Sequence, residues 1–77
     1  STAKDSAKTL SSIEEAADKL KDSADALSKT GSKSVFNKVD VEKTDENGVT
    51  TTTKEYDVNA IYKSVNEFVN NYNDAFN

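Results

Sequence analysis

Asp45-Glu46-Asn47-Gly48 constrains this chain more than any other four residues. Asp at the first position, Asn at the third and Gly at the fourth fit a type I turn closed by a glycine bulge. A two-residue Asn-Gly turn is the competing register. The flanks decide what the turn joins. Residues 35–43 (VFNKVDVEK) and 49–56 (VTTTTKEY) are rich in β-branched side chains and roughly alternate, so the reading is a β-hairpin over 35–56. The Thr run 50–53 suits a half-exposed strand. An isolated hairpin is barely stable in water, so one of its faces is expected to rest on a helix or on another chain.

Residues 3–29 read as a helix. Leu10, Ala17 and Ala24 take heptad position a, and Ile13, Leu20 and Leu27 take position d. AADKL (16–20) and SADAL (23–27) repeat at a spacing of seven, and the opposite face is Lys, Asp, Glu and Ser. Glu15–Lys19 and Asp25–Lys29 are i,i+4 pairs of favourable order. Thr2 with Asp5 resembles a capping pair, and Ser12 with Glu15 resembles a second that would start the helix later. Lys29-Thr30-Gly31 is a stop, with a cation at the negative end of the dipole and Gly at a left-handed position. Ala17 and Ala24 let another helix approach closely. A narrow Ala/Leu seam of this length is marginal alone and wants a helix against it.

Asp57 caps a second helix over 58–76. Its apolar stripe is Val58, Ile61, Tyr62, Val65, Phe68, Val69, Tyr72, Ala75 and Phe76, broader than a strict coiled-coil seam. The predicted fold class is therefore α+β and mostly α: long helix, β-hairpin, second helix. The helices run antiparallel with the hairpin at one end. At 1.5 Å per residue they measure about 40 and about 30 Å. Tyr62 and Phe68 read as intramolecular core, and Tyr72 and Phe76 as core or partner interface alike. Asn66, Asn70, Asn71 and Asn73 read as solvated surface ahead of the alternative, hydrogen bonds across a helix–helix contact; Asn is a poor helix former, so packing must hold this segment helical.

The slender Ala/Leu stripe cannot cover all of Phe68, Tyr72 and Phe76. A four-helix bundle of two such hairpins would bury the surplus, and so would neighbouring segments of a longer protein. The chain lacks an initial Met and stops at Asn77 while the apolar period still runs, which predicts a piece of a longer protein. The candidate interface comprises Leu10, Ile13, Leu20 and Leu27 on one helix and Tyr62, Val65, Phe68, Tyr72 and Phe76 on the other.

Composition narrows the function. With 77 residues, 34% hydrophobic and 31% charged, the chain supports one small domain with a thin core. Cys and His are absent, which removes disulfides, thiolate zinc sites and the commonest nucleophilic and acid–base groups. The 14 carboxylates would need a cleft to shift their pKa values before they could catalyse anything. Asp40–Glu46 (DVEKTDE) lacks the order of a calcium loop. A net charge of −4 without a single Arg argues against nucleic acid. No apolar run is long enough to span a membrane, and no Asn begins a glycosylation sequon. The expectation is no catalytic residue, no metal, no cofactor and no small-molecule substrate. The partners are proteins.

One segment carries a family likeness. Residues 57–74, DVNAIYKSVNEFVNNYND, resemble a helical segment of the bacterial flagellar filament-capping (hook-associated) proteins, with Val65, Phe68, Val69, Tyr72 and Asn73 at the centre of the match. The match spans about a quarter of the chain. The first helix and hairpin are similar only in style. The resemblance implies a structural part exported to the cell exterior, whose helices pack in a coiled-coil region against copies of itself or other flagellar subunits. The reading that needs no such family is a soluble adaptor or regulatory module, cytoplasmic, whose exposed aromatic end captures a partner helix.

Overall fold

A computed structural model describes residues 2–77. It shows an α+β chain, mostly α, in the order helix, hairpin, helix. Helix α1 spans Ala3–Ser28, strand β1 Lys38–Thr44, strand β2 Thr50–Tyr56 and helix α2 Val58–Phe76.

Helix α1 starts where the capping pair predicts. Thr2 Oγ1 accepts from the Asp5 N–H at 3.2 Å, and Asp5 accepts in return from the Thr2 N–H at 3.3 Å. Two backbone groups that the helix leaves unpaired are thereby satisfied. Ser12 does not start the helix anew: its hydroxyl donates to the Lys8 carbonyl at 3.0 Å, and the helix runs straight through. Glu15 and Lys19 pair at 3.1 Å. Asp25 was expected to pair with Lys29, but Lys21 holds it instead, at 2.6 Å. Lys29 already stands outside the helix with ψ 137°, so its side chain no longer follows the helical face.

The connector is held by its own hydrogen bonds. Gly31 has φ +64°, the left-handed position predicted for it, and opens one 3₁₀ turn over Gly31–Lys33. Asn37 Nδ2 donates to the Gly31 carbonyl at 2.6 Å, and the Phe36 N–H donates to Ser34 Oγ at 3.2 Å. These bonds occupy 35–37, so β1 begins at Lys38 rather than at Val35.

The turn adopts the bulged register. Gly48 N–H donates to the Asp45 carbonyl at 3.1 Å, and the Asp45 N–H to the Val49 carbonyl at 2.9 Å. Gly48 sits at φ +79°, where a side chain would be strained. Asp45 Oδ1 accepts from the N–H groups of Asn47 and Val49, at 2.8 and 2.9 Å. Val49 is consumed by the turn, and the ladder starts at Thr44 opposite Thr50 and ends at Lys38 opposite Tyr56.

Both faces of the hairpin are mainly polar, with Val39 and Val41 the apolar residues of one of them. One carries the Asp40–Lys54 ion pair at 2.7 Å, the Thr44–Thr50 hydroxyl pair at 2.8 Å, and Lys38 Nζ 5.2 Å from the centre of the Tyr56 ring. The other carries Lys43 and Glu55 at 3.2 Å. Thr53 donates to Glu55 at 2.6 Å; this bond, then the Lys43 ammonium, hold the Glu55 carboxyl below its usual range. Of the two supports expected for it, a helix or another chain, the first is absent: the hairpin rests on neither helix. With both faces mainly polar, it has too little apolar surface to drive such docking.

Asp57 caps α2 by accepting from the Ala60 N–H at 3.1 Å. The helix then returns along α1, antiparallel to it. Asn71 reaches Lys19 and Ser23, while Ala75 and Phe76 lie beside Ile13 and Ala17. The later residues of α2 therefore meet the earlier residues of α1. The shorter α2 ends level with Ile13 and Ala17, and the first turns of α1 project beyond it.

The whole is a rod of 70 × 26 × 17 Å with a radius of gyration of 19.7 Å. A compact chain of this length would have about 11–12 Å. The accessible surface is 6343 Å², against about 4,600 Å² expected from the mass of a compact monomer. Among the described residues no apolar side chain is buried, and Ser23, 8% exposed, is the sole buried residue.

Candidate functional site

The contact between α1 and α2 is a narrow seam. On α1 the half-buried or buried positions are Ala16, Leu20, Ser23, Ala24 and Leu27. On α2 they are Ala60, Ile61, Ser64, Phe68, Asn71 and Ala75. Ile61, Ser64, Phe68, Asn71 and Ala75 recur at alternating steps of three and four, the spacing of a two-helix seam. Several of these side chains are small, so the backbones approach closely and little apolar surface is covered.

A polar knot sits in the seam. Asn71 Nδ2 donates to the Lys19 carbonyl at 3.1 Å and to Ser23 Oγ at 3.2 Å. Ser23 Oγ itself donates back into α1, lying 3.1 Å from the Lys19 carbonyl and 3.0 Å from that of Leu20. Asn71 was read as solvated surface; it is instead half-buried and bridges the helices. The signal that would have found it was its place in the three–four repeat, which outranked its polarity.

The residues predicted as interface divide between seam and surface. Leu20, Leu27 and Phe68 lie in the seam, half-buried. Leu10 and Ile13 are exposed: Leu10 lies beyond the end of α2, and Ile13 stands beside its last turn on the open flank. Tyr62, read as core, is 70% exposed, because the seam passes through Ile61 and Ser64 on either side of it. Val65, Tyr72 and Phe76 are exposed as well.

These exposed groups share a side. By the 3.6-residue period, Val58, Tyr62, Val65, Val69, Tyr72 and Phe76 form one stripe along a single flank of α2. All six are exposed large hydrophobics. The rings of Phe68 and Tyr72 stand 6.4 Å apart and those of Tyr72 and Phe76 4.9 Å, a ladder climbing out of the seam. On α1 the matching flank is Ile13, Ala17 and Ala24, which line an apolar groove together with Leu20, Lys21, Ala75 and Phe76. The opposite side of the pair carries Ser12, Glu15, Lys19, Asn71 and Asp74. The helix layer thus has one greasy face and one polar face.

Chemistry is sparse elsewhere. No group of carboxylates among the described residues is arranged to hold a metal ion. The Lys21 hydrogen bond and charge lower the Asp25 pKa, and Asp25 raises that of Lys21 in return. Both are surface groups, so this is an ordinary ion pair. No helix is long and apolar enough to cross a membrane.

No family model, no curated protein and no solved structure matches this chain.

Proposed function

We propose that this chain is a non-enzymatic assembly module that works by helix–helix packing. The observation that carries the proposal is the pairing of an apolar face with the lack of a core. Eight large hydrophobic side chains stand exposed on the two helices, and no hydrophobic side chain is buried among the described residues. Monomeric proteins rarely leave contiguous apolar patches of more than a few hundred Å² open to water, and larger ones mark interaction sites. The partners are protein: further copies of the chain or helices of related subunits. The absence of His and Cys and the shallowness of the grooves support a role without catalysis.

The capping resemblance of residues 57–74 gives this role its more specific form, an exported structural part of a flagellar filament or its cap. Val65, Val69 and Tyr72, central to that resemblance, lie on the exposed stripe. The test is location. An antibody against the chain should find it in mechanically sheared surface filaments or in the medium. Signal confined to the cytoplasm would sink the flagellar form and favour the adaptor reading, in which the same face captures a cytosolic helix.

A further inference from the structure

The geometry points to a second copy of this chain as the occupant of the apolar face, with α2 of each copy lying on α1 of the other. This rests on the assembly reading and names its partner. Three observations converge on it.

The first is area. The chain exposes 6343 Å², about 1,700 Å² more than a compact monomer of its mass would. Part of that excess belongs to the hairpin, which packs on neither helix; a stable dimer of standard size takes about 800 Å² from each partner, about half of the excess. Two helices side by side, each roughly 10 Å across and about 28 Å long over the α2 span, offer a face of the right order.

The second is shape. The α2 flank is large, with Tyr72 and Phe76 standing out from it. The α1 flank is small, with Ala17 and Ala24 lining the groove. A two-fold axis parallel to the helices sets each large flank over the partner's small one. Phe76 then falls near the partner's Ala17, and Val69 near the partner's Ala24. An axis across the helices would instead stack aromatic on aromatic and alanine on alanine, leaving a gap beside a clash. Closed isologous pairing of this kind uses one patch twice.

The third is charge. The chain carries −4, so copies repel unless their carboxylates stay clear of the contact. On α2 the charged residues Lys63, Glu67 and Asp74 all fall on the flank away from the aromatic stripe, by the helical period. Lys21 is the one charged residue lining the apolar groove. The α2 carboxylates therefore ride on the outside of the pair, while on α1 Asp25 stands at the rim of the groove, paired with Lys21 at 2.6 Å.

The chain has no Cys, which makes the test clean. Two variants, Lys21→Cys and Asn73→Cys, are each placed at the rim of the face, mixed, and treated with a short bis-maleimide. The expected product is the mixed dimer, in excess over either homodimer. A third variant, Ala17→Glu, alters an exposed residue of the free chain, so it should keep the helical circular dichroism while losing the dimer in sedimentation. If the unmodified chain associates but the mixed crosslink is missing and Ala17→Glu still associates, this arrangement is overturned while assembly stands. If the chain keeps its helical signal and sediments as a monomer up to its solubility limit, the second copy is overturned, and only an unlike partner remains.

Discussion

Asn71 reaches across the helix pair and donates to Ser23 Oγ at 3.2 Å, so the one buried residue among those described is held by a polar bond. Asn71 also donates to the Lys19 carbonyl at 3.1 Å, on the same turn of α1. A hydrogen bond has directional demands that apolar contact lacks. This pair therefore sets the axial register of α2 on α1, where half-buried Leu20 and Phe68 alone would tolerate sliding.

Asn71→Ala should destabilise the helix pair by about 1 kcal/mol, the usual net worth of a neutral hydrogen bond. For a domain of this size that lowers Tm by roughly 4–8 °C. Ser23→Ala should cost less, because Asn71 keeps its bond to the Lys19 carbonyl. Thermal melts of the two single variants and the double variant measure the coupling. Additive losses would mean that the two side chains do not interact.

Phe76→Ser and Phe68→Ser separate folding from assembly. Phe68 is half-buried in the seam, whereas Phe76 is 67% exposed. The first of these variants should leave the dilute melting curve within about 0.5 kcal/mol of the parent while weakening association. The second should lower stability at every concentration, by about 1–3 kcal/mol, since only part of a full burial loss applies. Melting across a concentration series distinguishes them.

Asp45→Ala removes the acceptor of two backbone N–H groups, those of Asn47 and Val49. The hairpin should loosen by about 1–2 kcal/mol. Amide exchange at Asn47 and Val49 should accelerate, with α1 and α2 unaffected because no strand packs on a helix. Equal acceleration in the helices would show a coupling that the contacts do not predict.

Acid should weaken both ion-paired sites. Asp25 and Glu55 are held below the ordinary carboxylate range, by Lys21 and by Thr53 with Lys43 respectively. A lowered folded pKa contributes stability above the unfolded value of about 4, and that stability is lost as pH falls through the folded value. Tm should stay level from neutral to mildly acidic pH and decline below the unfolded value. Lys21 behaves oppositely: its raised pKa adds stability that disappears only in strong alkali. Glu55→Gln should flatten the acid limb of the hairpin signal followed by NMR.

The parts of the fold fixed by local chemistry were legible in the sequence. The Thr2–Asp5 box, the Asp57 cap and the Asp45–Gly48 turn are all short-range hydrogen-bonded motifs, and each forms where its residues predict. The seam was harder. A heptad on Leu10, Ile13, Ala17, Leu20, Ala24 and Leu27 treats hydrophobicity as the guide to contact, but the helices meet through Ala16, Ser23, Ser64 and Asn71 as well. Small and polar residues win that seam because they allow close approach and a bridging bond. Of the large residues, Leu20, Leu27, Ile61 and Phe68 share the seam, and Tyr62, Val65, Val69, Tyr72 and Phe76 are turned to the flank. Tyr62 was misplaced for the same reason, since its size suggested a core that a two-helix layer is too thin to build. The hairpin's independence was also hidden, because a sequence does not show that ion pairs and threonines occupy both faces at once.

The shortage of buried apolar surface has a calorimetric consequence. The heat capacity of unfolding comes mainly from apolar groups newly wetted, and globular domains give about 12–15 cal/mol/K per residue. Here many of those groups are wet already, with 6343 Å² exposed and no apolar side chain fully buried among the described residues. The free chain should fall below that range, and its stability should vary little with temperature, without a sharp optimum. The missing heat capacity belongs to whatever event dries the face.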